Sequence, residues 1–196
     1  MVRRLNPFSK RAWMFIGIAI VGGLVLVGAA GGLVWWDKQR TEAARAEQLE
    51  PMIQRIAGEY GLDPSLVWAV IDAESSFDAN AVSSKDALGL MQITDITHRE
   101  VMNRRGLPDG DLFDPEYNLT VGCAYLRQLL TRFDGDLHLS LAAYHMGPTR
   151  TARLRRKHPN LSSADFVQQH AYRSTRAYVT KVLETHARLI ATPPSP

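Results

Sequence analysis

The chain has 196 residues, 45% of them hydrophobic, one cysteine and a formal net charge of +3. That length suits one domain with a proper core plus a further segment, and the single Cys123 excludes an internal disulfide. Residues 1–12 carry +4, residues 37–50 carry −1 and residues 51–196 are balanced, so the basic excess is local and argues against a nucleic-acid surface.

In chain order, the first expected element is a membrane span. Trp13 to Trp36 is a run of 24 residues without a charge. As a helix it would extend roughly 36 Å at about 1.5 Å per residue, enough to cross a bilayer core. Tryptophans stand at both ends, and Arg3, Arg4, Lys10 and Arg11 precede it, which predicts a cytoplasmic N-terminus and an exported C-terminal domain. A cleavable signal peptide, with Gly28 and Ala30 before the cut, is the competing reading. The apolar run continues through Leu33 to Trp36, which favours an uncleaved anchor. The spacing of Gly28 and Gly32 allows a helix–helix contact but signals little by itself.

Residues 37–50 read as a charged, helix-prone stalk, and the domain is expected over 51–191, followed by a tail at 192–196. Pro51 is expected to open a helix that Gly61 closes. Asp63-Pro64 is an N-cap with proline at N1, opening a helix that ends near Glu74. Ser75 to Asp86 reads as loop. A short helix over Ile96–Arg105 stops at Gly106, and Asp114-Pro115 opens a long one closed by Gly135. Leu137, Leu141 and Tyr144 share a face of the next, ended by Gly147-Pro148. The last helix carries Tyr178, Val179, Val182, Leu183, Leu189 and Ile190 at core spacing. No alternating strand is evident, so the domain is mainly α.

Glu74 is out of place in this pattern. Val67, Val70 and Ile71 precede it at helical spacings that lie on one face, whereas Asp72 points elsewhere. A carboxyl on an apolar face loses hydration, its pKa rises, and it can then act as a general acid in glycoside cleavage. From this stretch alone, a helix-end glutamate swung into solvent or paired to an arginine explains the position as well. Cys123, in "VGCAYL", reads as a buried structural thiol. The histidines show no zinc-like spacing, and there is no phosphate loop, so no metal or cofactor is expected. Arg150, Arg153, Arg155, Arg156 and Lys157 form a basic cluster, either a solvated helix face or a contact for the carboxylates of an anionic polymer.

The stretches "ESSFDANAVSSKDALGLMQI" and "AAYHMGP" resemble the catalytic domain of the soluble lytic transglycosylase family over about residues 55–190. Glu74-Ser75, Gly89-Leu90-Met91-Gln92 and Ala143-Tyr144-His145-Met146-Gly147 match its three ordered motifs, and Asn118 to Leu126 matches the helix between the second and third. "AVSSKDALGLMQ" and "LFDPEYNLTVGCAYL" look closest to the membrane-bound murein transglycosylase C branch. That branch's lipid-modified cysteine is absent here, with a membrane helix in its place.

The resemblance implies a lysozyme-like (goose-type) helical fold behind the N-terminal helix, and non-hydrolytic cleavage of peptidoglycan glycan strands to 1,6-anhydro-N-acetylmuramoyl ends. It implies Glu74 as the acid and then the base. Tyr144 is placed to hydrogen-bond Glu74, Met91 and Gln92 to line the saccharide groove, Ser83 to lie near the substrate, and Tyr178 to face the cleft or the core. The usual asparagine of the third motif is replaced by His145, which can hydrogen-bond but is larger and can charge. The glutamate before the late tyrosine is replaced by Ser174. Expected partners are peptidoglycan, the bacterial inner membrane through the N-terminal helix, and cell-wall or envelope machinery, with the domain in the periplasm. A lysozyme-type hydrolase and a non-catalytic peptidoglycan-binding scaffold domain are the alternatives.

Overall fold

The computed structural model describes residues 36–191. The chain divides into two compact units, Met1–Ala44 and Arg45–Pro196. The expected membrane span lies outside the described residues apart from Trp36, which is helical and exposed. Among the described residues, no helix is long and apolar enough to cross a membrane. Residues 36–44 of the first unit are helical and polar, with Lys38 and Glu42 3.7 Å apart one turn along.

The second unit begins in helix α1 (residues 45–59), whose Ala46, Leu49, Ile53, Ile56 and Ala57 repeat at helical spacing along the buried side. Pro51 therefore does not open a helix. It sits inside one, exposed, where its missing N–H leaves the carbonyl of Glu47 without an intrahelical donor.

Helix α2 (Pro64–Glu74) starts as its sequence requires: the Asp63 carboxylate accepts from the Ser65 N–H at 2.9 Å and proline occupies the first turn. Helix α3 (Asp95–Arg105) is capped by Thr94 and stopped by Gly106 at φ 65°. Helix α4 (Pro115–Arg132) is capped by Asp114 and is the most deeply embedded, with Leu119, Val121, Leu126 and Leu129 fully buried. Cys123 is among its buried residues, and burial pushes the thiol up to about 12, so it is an inert core group.

Helix α5 (Leu137–Met146) ends at Gly147, and α6 (Pro148–Lys157) begins at once from that glycine. Helix α7 (Ser163–His170) follows, a short element that the sequence reading lacked. Helix α8 (Arg173–Ala191) closes the unit and packs mainly against α2 and α5. Tyr178, Val179 and Val182 are buried as expected, but Ile190 is 58% exposed, so the core stripe of α8 fades before its end.

The segment between α2 and α3 positions the site. Two isolated bridges, Val82 to Leu88 and Leu88 to Ile93, fold it back on itself. Ser76, Phe77, Asp86 and Gln92 all adopt positive φ, a sign that surrounding contacts hold the backbone. Gly89 has φ 74°, and a Cβ there would stand 2.2 Å from Asn118 Nδ2, so glycine is required for both conformation and space.

Candidate active site

Glu74 is the last residue of α2 and keeps part of its surface open to solvent. Enough protein surrounds the carboxyl that desolvation raises its pKa from the ordinary 4.5 to about 7. Tyr178 and Lys181 oppose the rise. The sequence expectation of an acid on an apolar face is met: Val67, Val70 and Ile71 are fully buried. Asp72 turns away and is held by Lys181 of α8, whose ammonium lies 3.2 Å from its carboxylate and donates to its carbonyl at 2.7 Å.

The hydrogen bond expected between Tyr144 and Glu74 is replaced by another. The Tyr144 hydroxyl donates to the Met91 carbonyl at 2.8 Å, and its ring rests against Tyr125 with centroids 5.3 Å apart. Tyr144 thus ties α5 to the Gly89–Gln92 turn. The Glu74 charge acts on both phenols, Tyr144 and Tyr178, and Tyr178 is the one whose hydroxyl turns toward the acid. Its ring is buried, its pKa is driven well above the usual value first by burial and then by the Glu74 charge, and it faces Glu74 as a neutral donor. No partner of standard hydrogen-bond geometry meets the Tyr178 hydroxyl among the described residues, yet it lies close enough to the carboxyl to hold down the Glu74 pKa by hydrogen bonding.

Met91 is fully buried, and its sulfur occupies the space over Gly122, where a Cβ would meet it at 2.2 Å. It is a core residue and not a wall of the groove. Its backbone nonetheless serves the site, since its N–H donates to Asn118 Oδ1 at 2.8 Å. Asn118 Nδ2 donates to the carbonyls of Leu88 and Leu112 at 2.9 and 2.7 Å. One buried side chain of α4 therefore satisfies three backbone groups around the turn. The sequence signal was a lone asparagine in an apolar helix.

Gln92 Nε2 donates to the carbonyls of Ala81 and Gly89 at 3.1 and 3.0 Å. Both donors of the amide are committed to the loop, and its acceptor oxygen is left for a ligand N–H or O–H. Ser83 Oγ accepts from the N–H groups of Lys85 and Ala87 at 3.2 and 3.1 Å, which shapes the loop and leaves its own proton free.

His145 Nδ1 lies 3.0 Å from Thr175 Oγ1, joining the end of α5 to the first turns of α8. Its ring is inclined over Tyr178 with centroids 4.8 Å apart. Burial, and then the positive charge of Lys85, lower its pKa, so the imidazole is neutral at neutral pH. Thr175 is fully buried and was not anticipated from sequence. The site thus unites Glu74, Tyr178, His145 and, through the Met91 carbonyl, Tyr144 and the Gly89–Gln92 turn.

A mainly helical, lysozyme-like domain with a desolvated glutamate at a helix end is the class that this architecture defines. The chain matches the Transglycosylase SLT domain family over residues 51–167, and it belongs to that family. It is 41% identical over 98 residues to the membrane-bound lytic murein transglycosylase C of Serratia proteamaculans, covering 47% of this chain and 27% of the relative. The protein of the same name from Yersinia pestis is 39% identical over 98 residues, with the same coverage. The chain therefore spans about a quarter of the length of these relatives.

Among solved structures, it superposes on an inactive Glu-to-Gln mutant of the lytic transglycosylase Slt of Pseudomonas aeruginosa with a TM-score of 0.67 at 30% identity, covering 73% of this chain and 24% of that one. The 70 kDa soluble lytic transglycosylase of Escherichia coli gives a TM-score of 0.68 at 27% identity, covering 72% and 24%.

Proposed function

We propose that the chain is a membrane-anchored lytic transglycosylase. In this reading it cleaves the β-1,4 bond between N-acetylmuramic acid and N-acetylglucosamine in peptidoglycan, leaving a 1,6-anhydro-N-acetylmuramoyl end. The observation that carries it is the Glu74 carboxyl, desolvated to a pKa of about 7 yet partly open to solvent. Near neutral pH such a group is as ready to give a proton as to take one. Glu74 protonates the glycosidic oxygen and the bond to the anomeric carbon breaks. The substrate's own N-acetyl group supports the positive charge. The 6-hydroxyl then closes on the anomeric carbon and returns a proton to Glu74, so no water enters.

The surroundings support one carboxylate in two roles. Asp72 is turned to Lys181, and Asp78 is half exposed and 3.7 Å from Arg45, so neither is an evident second acid of the kind that most glycosidases use. Tyr178 supplies a neutral hydroxyl to the carboxylate once it has lost its proton. His145, Ser83 and the Gln92 carbonyl oxygen offer polar contacts to the glycan, and Tyr144 positions the turn. The segment 13–36 is the anchor, residues 1–12 stay in the cytoplasm, and the 51–191 domain works in the periplasm, next to whatever wall machinery it serves.

The test is product analysis. Peptidoglycan digested by the purified protein should give 1,6-anhydro ends by mass spectrometry, and Glu74→Gln should give none. Reducing N-acetylmuramic acid ends alone would make the protein a hydrolase, and no product at all would make it a binding domain.

A further inference from the structure

The basic cluster of α6 has no role in the site described above. In the last turn, Arg155, Arg156 and Lys157 have an internal explanation, because cations there complement the negative end of the helix dipole. Arg155 also donates to the His158 carbonyl. Arg150 and Arg153 have no such explanation. Arg150 stands in the first turn, which carries no acidic residue, where the dipole disfavours a cation. Both are exposed, and among the described residues neither is in an ion pair. Arg150 nonetheless has an aromatic partner: its guanidinium carbon lies 4.9 Å from the centroid of the Tyr172 ring, which is 51% exposed.

This pair adjoins the active site. Tyr172 directly precedes α8, whose first turns carry Thr175. Arg150 belongs to the helix that follows His145 through Gly147, and His145 and Thr175 meet at 3.0 Å. An exposed aromatic face with a guanidinium over it, close in the chain to the His145–Thr175 contact, offers an apolar surface and a bidentate carboxylate partner together.

We propose that Arg150 and Tyr172, extended by Arg153, form an accessory subsite for the stem-peptide carboxylates of the glycan substrate. The proposal rests on the lytic transglycosylase reading for its substrate. In an intact strand the muramoyl lactyl carboxyl is amide-linked and uncharged, so the free carboxylates lie on the peptides, away from the sugar bond. A cationic face at the starts of α6 and α8, on elements other than the one that carries Glu74, is where such groups can be met.

The experiment is co-sedimentation of the full chain, in detergent, with purified sacculi in a Glu74→Gln background, which prevents turnover. Adding Arg150→Glu and Arg153→Glu should weaken binding at least about fivefold and flatten its salt dependence. Arg150→Gln and Tyr172→Ala should each act in the same direction with unchanged melting temperature. Against sacculi whose carboxyls have been converted to amides, the variants and the parent should bind alike.

Unchanged binding to native sacculi overturns the proposal, as does a deficit that persists on amidated sacculi. A deficit seen only with phosphatidylglycerol vesicles would assign the face to the membrane instead. Failure of the lytic reading shows up separately, as absence of Glu74-dependent glycan cleavage by the unsubstituted chain.

Discussion

The hydroxyl of Tyr178 is buried beside the carboxyl of Glu74 and lacks a hydrogen bond of standard geometry among the described residues. A buried, unpaired phenol costs stability, on the order of 1–3 kcal/mol. The neighbouring carboxyl can accept from the hydroxyl through its carbonyl oxygen when protonated, and more strongly when ionised, so Glu74 is the partner that offsets this cost. Tyr178→Phe should therefore change the melting temperature little while kcat/KM falls about tenfold. Tyr178 lowers the Glu74 pKa, so its loss should also move the pH–activity profile to higher pH. An unshifted profile with full activity would remove Tyr178 from the mechanism.

Glu74→Gln should abolish acid–base chemistry, a loss of about 10²–10⁴ in rate or more. It should also change stability with a definite sign. The folded pKa is about 7 against an ordinary 4.5, so between those values the folded chain binds a proton that the unfolded chain has released. Stability therefore falls as pH rises through that window. The glutamine variant lacks this penalty and should be more stable than the parent at pH 8 by about 1–3 kcal/mol, with the gap closing near pH 4. Thermal melts at the two pH values measure it.

His145 should titrate below its ordinary value, because burial and Lys85 both disfavour its charge. Imidazole resonances followed by NMR should show a pKa under 6.5, and Lys85→Gln should raise it. His145→Asn should then leave the activity profile above pH 7 unchanged in shape, since a neutral ring is replaced by a neutral amide. A new or lost limb in that range would show that His145 charges during turnover.

Asn118→Ala should strand the Met91 N–H and the Leu112 carbonyl in a buried place, while the Leu88 carbonyl keeps the Ile93 N–H, and destabilise the domain by about 2–4 kcal/mol. Because Met91 belongs to the turn that Tyr144 also grips, activity should drop even where the variant is fully folded. Urea unfolding and initial rates on the same preparation separate the two effects.

What could be read from the sequence was what local chemistry dictates. The Asp63, Thr94 and Asp114 caps, the stops at Gly106 and Gly147, and the apolar stripe that ends in Glu74 are all set within a turn or two of chain. Helix α7 escaped because eight residues with two apolar side chains on the buried side carry too little periodicity to read. Pro51 misled because a start signal is only a start signal when no helix is already running. Met91, Tyr144 and Tyr178 were placed by family likeness. Their hydroxyl targets and burial depend on which helices meet, and that is set by tertiary packing and not by spacing.

Asp63 has a consequence beyond its cap. Besides holding the first turn of α2, its carboxylate lies 2.7 Å from His186 Nε2 on α8, while Asp72 near the other end of α2 is gripped by Lys181 of the same helix. A hydrogen bond and an ion pair thus join α2 to α8 near both ends of α2, with Glu74 on one member and Tyr178 on the other. The spacing of the acid and its phenol is therefore set by the packing of one helix pair. The 75–94 segment is held by separate ties, to Asn118 of α4 and Tyr144 of α5. The acid and the Gly89–Gln92 turn are thus anchored by two independent sets of contacts, and damage to one leaves the other in place.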